Sequence, residues 1–374
     1  MLFLPILSFS LLVGANGFFM SFVSLYLKNL DMQPFDIGLV QSSSALGLLI
    51  STLHAQKLVF KIGHNRSFAL VCLLLAAVTS LLIVIPPSFW FLPRFLVGLI
   101  MGSFWVLIES WILIDFKNQK GLAMGCYVMV VDLSMALGQL LLPWVDHRAN
   151  FAVFLVDGLF LAALILIGFR SRPDPVIPDN PEKGVFLPFL FKSPVGVLAS
   201  FAAGLILGSL YSFMPIYIAD RGFNPGYLMS CMILGGASLQ LLVGKISDHF
   251  DRRKLLIILV CLGSICAYVS DRATSLFTFS AAIFFFGGAC FTIYPVAAAI
   301  ASDDGGHQNL AKMAGVVLFA YSIGAVIGPL ATSILKARSF DYMQLAVIVP
   351  SAMLIVSIVI SKLLGISRTQ GACR

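Results

Sequence analysis

Apolar residues run along this chain in long, nearly unbroken blocks, and polar residues are confined to short gaps between them. A helix needs about 20 apolar residues to cross the hydrocarbon layer of a bilayer. That length predicts twelve spanning helices, over residues 3–27, 36–57, 67–86, 89–115, 121–143, 150–170, 194–218, 226–246, 254–270, 275–301, 311–335 and 342–364. Only one gap is long. It contains Arg172-Pro173-Asp174-Pro175 and Pro178-Asp179-Asn180-Pro181, and so many prolines make a linker rather than a folded domain. The pattern predicts an all-α membrane protein: a six-helix bundle over 1–170, a linker over 171–193, and a second six-helix bundle with a short tail over 194–374.

The two halves echo each other. Gly125-Cys126-Tyr127 through Gly138-Gln139 and Gly315-Val316-Val317 through Gly328-Pro329 are windows of equal length with glycine at both ends, set about half a chain apart. Ser24-Leu25-Tyr26-Leu27 and Pro215-Ile216-Tyr217-Ile218 each close a long apolar block, and a weaker echo pairs 57–66 with 244–253. Homologous halves in an apolar chain suggest two pseudo-symmetric bundles with a solute pathway where the repeats meet.

Composition fits lipid as the solvent. The chain is 59% hydrophobic and 11% charged, against roughly 45–50% and 25% in soluble domains. The net charge of +7 sits in short loops, so it speaks to topology and not to nucleic acid. Gaps after odd-numbered helices carry Lys28, Arg148, Arg221, Arg272, Lys336 and Arg338. Apart from Arg94, the remaining lysines and arginines fall in the other gaps, the linker and the tail. Cations collect on the cytoplasmic side. Both termini and the linker are therefore expected in the cytoplasm. The uncharged start from Met1 to Leu27 reads as a first membrane helix and not as a cleaved leader. The seven cysteines have no zinc spacing. No nucleotide-binding glycine loop, His-Glu-x-x-His or nucleophile triad is present, so enzymatic activity and a cofactor are not expected.

An ionisable side chain within the bilayer is costly unless paired or wet, so each is a functional candidate. On the fourth helix Arg94, Gly98, Gly102, Trp105 and Glu109 fall within an arc of about 80°. That face should meet protein or a cavity. Arg94 and Glu109 are about 22 Å apart along the axis and cannot pair. Arg94 suits an anionic group or an acid in need of balance; Glu109 suits proton or cation coupling, an inner gate, or a plain structural acid at the helix end. Asp132 lies about 16 Å into the fifth helix with Gln139 on the same face. A carboxyl at that depth suits proton coupling or a structural hydrogen bond. Asp157 reads as a satisfied acid of the outer half. Asn16, Gln41, Tyr211, Gln240, Tyr294 and Tyr321 either line a cavity or bond neighbouring helices, the latter being commoner in bundles.

Gly244-Lys245-Ile246-Ser247-Asp248-His249-Phe250-Asp251-Arg252-Arg253-Lys254 resembles the loop signature of the major facilitator superfamily. The departures are His249 and Asp251, the latter standing where the turn glycine is usual. The first-half copy lacks the acid. Ile62-Gly63-His64-Asn65-Arg66-Ser67, Arg94 with Val106-Leu107-Ile108-Glu109-Ser110, Gly208-Ser209-Leu210-Tyr211 and Phe291-Thr292-Ile293-Tyr294-Pro295-Val296-Ala297 are similar to the YcaD-type subgroup of bacterial transporters. The resemblance covers nearly the whole chain. It implies a secondary transporter that works by alternating access, with helices 1, 2, 4, 5, 7, 8, 10 and 11 lining the path. It also implies a cytoplasmic latch in which Asp248 pairs with Arg252 and which Gly244 and Arg253 flank. A Gly-Pro pair that marks antiporters in the fifth helix is absent, since Gly138 is followed by Gln139.

The expectation is a monomer in the lipid bilayer that moves a small organic solute, is coupled to protons through Asp132 or Glu109, and slightly favours export by analogy. An uncoupled facilitator or an uptake symporter of the same fold is the first alternative. A non-transporting membrane sensor or partner protein is the second.

Overall fold

The computed structural model describes residues 3–52, 63–115, 120–145, 149–168, 190–306 and 309–336. The described residues form eleven α-helices: α1 (Phe3–Asn29), α2 (Pro34–Thr52), α3 (His64–Val84), α4 (Phe91–Asp115), α5 (Lys120–Gln139), α6 (Ala149–Gly168), α7 (Pro194–Asp220), α8 (Pro225–His249), α9 (Arg252–Arg272), α10 (Leu276–Gly305) and α11 (Leu310–Lys336). Short 3₁₀ turns occupy Pro87–Phe89 and Leu142–Trp144. These are the first eleven helices that apolar length predicts. The twelfth, over 342–364, lies outside the described residues, as do most of the linker, the tail, and residues 53–62, which include the last part of the second block. Ten of the eleven are long and apolar enough to cross a membrane.

Most ends agree with the sequence to within a few residues, and the exceptions have local causes. The fifth helix was expected to reach 143 and stops at Gln139, because Pro143 has no N–H for a helical bond and its ring crowds the preceding turn. The tenth runs past its expected end at 301 to Gly305, carrying Asp303 and Asp304 within it. Gly63 adopts φ 85 where the chain turns into α3, a conformation that side chains with a Cβ disfavour. Asp251, the departure from the usual turn glycine, caps α9: its carboxylate accepts from the backbone N–H of Arg253 at 2.9 Å and of Lys254 at 3.4 Å. An acid there satisfies donors that a helix start otherwise leaves open.

The chain divides into two compact units. One holds α1 to α6 together with Tyr211–Leu234; the other holds the first half of α7, to Leu210, and the described residues from Gly235 onward. In the first unit α1 packs on α5 and α6, α2 on α4, and α3 on α4 and α6. Glycines set the closest crossings. A methyl group on Gly138 would run into the Gly14 carbonyl, closing α5 on α1, and one on Gly98 would run into the Ser44 carbonyl, closing α4 on α2. The second unit repeats both crossings. Gly204 abuts the Tyr321 carbonyl, joining α7 to α11, and Gly235 abuts the Phe284 carbonyl, joining α8 to α10. Lipid tails are as apolar as leucine, so close backbone packing replaces the hydrophobic drive between membrane helices.

The outward faces are apolar. Leu73, Leu74 and Leu81 on α3, Phe154, Leu161 and Ile165 on α6, and Ile258 and Ile265 on α9 are exposed. A water-soluble protein rarely shows so much contiguous apolar surface, and a bilayer covers it at no cost.

Candidate functional site

Arg94 is fully buried in the first unit. Its Nη2 donates to Gln41 Oε1 at 2.9 Å, and its guanidinium lies over the Phe19 ring, 5.3 Å from the centroid. Gln41 is held in turn: its Nε2 donates to the Met20 carbonyl at 2.9 Å and to Ser24 Oγ at 2.6 Å. The Nε and Nη1 of Arg94 have no hydrogen-bond partner, and no carboxylate pairs with it among the described residues. Two residues picked separately from the sequence, Arg94 and Gln41, thus form one unit. Phe19 was missed, because a phenylalanine in an apolar block carries no distinguishing signal.

The rest of the α4 face divides. Gly98 and Gly102 face protein: Gly102 meets Leu48 and Ser51 of α2, whose Ser51 Oγ lies 2.8 Å from Ser103 Oγ. Trp105 is only half-buried and joins an aromatic group. Its ring lies 6.1 Å from Phe9 of α1 and 6.5 Å from Tyr127 of α5, both edge-on. Glu109, one turn further, is exposed and forms no ion pair among the described residues. Phe9 and Tyr127 were not legible beforehand.

On α5, Asp132 is buried with 8% exposure, and no hydrogen bond or ion pair engages it among the described residues. Gln139 is fully buried. Its Nε2 donates to the Gly17 carbonyl of α1 at 2.8 Å, while its Oε1 has no partner among the described residues. Asn16, next to Gly17, makes a long contact of 3.7 Å from Nδ2 to Met20 Sδ. The contrast is Asp157 on α6, whose carboxylate accepts from Thr79 and, at 2.7 Å, from Ser80 of α3. It is a satisfied acid, as its depth suggested. Lys28, at the end of α1, pairs with Asp220 at the end of α7 within this same unit.

In the second unit Tyr294 of α10 and Tyr321 of α11 pack together, with ring centroids 4.8 Å apart. Gln240 of α8 is half-buried, and so is Tyr211 of α7, which belongs to the first unit. The signature segment builds a charged cluster. Asp248 lies 3.8 Å from Arg252, but Arg252 also pairs with Asp303 at the end of α10 and donates from Nε to Ser247 Oγ at 3.1 Å. Arg253 reaches Asp304 at 3.4 Å, and Ser193 donates to the other oxygen of Asp304 at 2.6 Å. Asp303 and Asp304 were missed, though two adjacent acids closing an apolar block were the available signal. Among the described residues nothing lies within 4 Å of where a methyl group on Gly244 would sit, so close packing against them does not require a glycine there.

Comparison with known proteins follows the same lines. The sequence matches the Major Facilitator Superfamily over residues 6–235 and 225–371. It is 30% identical over 350 residues to the uncharacterized MFS-type transporter YE1530 of Yersinia enterocolitica, covering 91% of this chain and 90% of that protein. It is 29% identical over 328 residues to the uncharacterized MFS-type transporter YcaD of Salmonella arizonae, covering 85% and 84%. The fold is similar to that of the nucleoside transporter NupG, with a TM-score of 0.77 at 11% identity over 96% of this chain and 98% of that one. It also resembles a bacterial homolog of the human lysosomal transporter Spinster, with a TM-score of 0.73 at 14% identity over 97% and 96%. With both halves matched and all described residues helical or in short connections, the chain belongs to the major facilitator superfamily, a family of multi-pass membrane transporters and not of enzymes.

Proposed function

We propose that this protein is a proton-coupled secondary transporter. It moves a small organic solute across a bacterial inner membrane by alternating access, as a monomer with both termini in the cytoplasm. Two six-helix bundles, 1–170 and 194–374, joined by a cytoplasmic linker, are the moving parts. The observation that carries transport is the family match across both halves. The repeated glycine crossings support it, since they give each half the same packing scaffold.

Asp132 is the group we assign to coupling, ahead of Glu109. It is buried in α5 with no cation or hydrogen-bond donor engaged among the described residues, and a carboxyl so placed in a membrane is expensive unless the cycle uses it. Asp157 has the donors that a structural acid needs; among the described residues Asp132 has none. Gln139 and Asn16 sit on the neighbouring stretch of α5 and α1. Tyr211, Gln240, Tyr294 and Tyr321 are assigned to the second bundle's share of the path, and Arg94 to an anchoring role through Gln41. The cluster of Asp248, Arg252 and Arg253 is assigned to the cytoplasmic gate. The direction we favour is export.

The test is a thermal-stability ligand screen at two pH values on wild type and Asp132→Asn. Ligand binding to the native state raises the melting temperature by mass action. The reading expects a ligand whose stabilisation changes with pH in wild type and not in Asp132→Asn. Equal pH response in both proteins would remove Asp132 from the coupling role.

A further inference from the structure

The aromatic group on α4 has no part in the coupling assigned to Asp132. Phe9 of α1 stacks on Phe104 of α4 at 5.7 Å and meets Tyr127 of α5 at 5.4 Å. Trp105 closes the set against Phe9 and Tyr127, and is the member left half-open. Glu109 follows Trp105 by one turn on the same face of α4.

The direction of this face is fixed by its other members. Arg94, on the same arc, is sealed by Phe19 of α1 and Gln41 of α2. Trp105 is walled by Phe9 of α1 and Tyr127 of α5. The arc therefore points into the bundle and not at lipid. Glu109 lies on that same arc, is exposed, and forms no ion pair among the described residues, and an acid so placed in a membrane helix is a candidate for a pathway.

The chemistry selects by charge and by shape. An aromatic face carries negative potential and attracts a cation lying over it. A carboxylate next to such a face adds a full negative charge. Anions are repelled, and a neutral ring gains only apolar contact. A hard metal ion would need a shell of several oxygens, and no group of three His, Cys, Asp or Glu side chains gathers anywhere among the described residues. A proton alone would use Glu109 and leave the rings without a role. What fits is a positive charge carried on an apolar or aromatic body.

We propose that Trp105, Phe9, Tyr127 and Glu109 form a binding site for an amphipathic organic cation, with the Trp105 face and the Glu109 carboxylate holding its charged group. This rests on the transporter reading and names the substrate class for it.

The test is calorimetric titration of the purified full chain in lipid nanodiscs with benzyltrimethylammonium and with neopentylbenzene, its uncharged isostere. The expected result is saturable binding of the cation, with the isostere at least tenfold weaker. Trp105→Leu lowers cation affinity about threefold to tenfold. Glu109→Gln lowers it at least tenfold, while Glu109→Asp, which keeps the charge, retains part of it. Equal affinity for the two compounds, no saturable cation binding, or unchanged affinity in Glu109→Gln would overturn the proposal. The cation–isostere comparison needs no variant, so a Glu109→Gln protein that fails to fold does not remove the test. Cation binding that depends on Glu109 in a protein that carries no solute across proteoliposomes would uphold this site and sink the transporter reading. Transport of other solutes without cation binding would do the reverse.

Discussion

At the scale of single residues, Arg94 is a fully buried charge of the first bundle with Gln41 as its hydrogen-bond acceptor. A charge that has, among the described residues, no counter-ion, two unpartnered nitrogens and one acceptor relies on that acceptor. Gln41→Leu takes it away and also frees Ser24 and the Met20 carbonyl. Leaving a buried donor unsatisfied costs about 1–3 kcal/mol, so Gln41→Leu should lower thermal stability clearly, while Thr274→Ala, at an exposed site, should not. A melting curve of each purified variant checks this, and equal melting temperatures would mean that Gln41 does not hold Arg94. The exposed pair of Arg252 and Asp303 is different. It is half in water, where such pairs contribute about 0–1 kcal/mol. Asp303→Asn should therefore leave the melting temperature within error and change the transport rate, if the cluster works as a gate. A large loss of stability with an unchanged rate would make it a structural cluster.

At the scale of helices, the repeated windows contain a sharp contrast. Gly138 sits where α5 touches the backbone of α1, and its repeat partner Gly328 closes α11 on the Leu205 carbonyl of α7. Gly125, at the other end of the first window, has open space around it. Gly138→Val should abolish or severely reduce folded protein, because the crossing has no room for a side chain. Gly125→Ala should be neutral or slightly stabilising, since alanine is favoured over glycine within a helix by about 1 kcal/mol. Yield of monodisperse protein reads both, and tolerance of valine at 138 would contradict the crossing.

The element scale also explains what the sequence made legible. Helix positions were readable because bilayer thickness imposes a length, and ten of the eleven described helices meet it. Helix ends were less so: Pro143 halts α5 early, and the acids at 303 and 304 were read as loop when they complete α10. The α4 face was recognisable from its arc, but its partners were not. Periodicity locates a face without saying which helix covers it. So Gly98 and Gly102 turned out to meet α2, while Phe9 and Tyr127, aromatics among many, surround Trp105. Arg94 and Gln41 were legible as polar exceptions; their mutual bond needed the fold.

At the scale of the whole molecule, the central claim is that solute movement and proton movement are one process that requires Asp132. The most direct measurement uses proteoliposomes loaded with the pH-sensitive dye pyranine. Organic amines, carboxylates, sugars and nucleosides are added in turn, to wild type and to Asp132→Asn. The account predicts that at least one solute, an organic amine first, drives proton movement in wild type. Asp132→Asn should still exchange that solute in labelled form but move no protons with it. Solute crossing wild-type liposomes without proton movement, or proton movement undiminished in Asp132→Asn, would contradict the account.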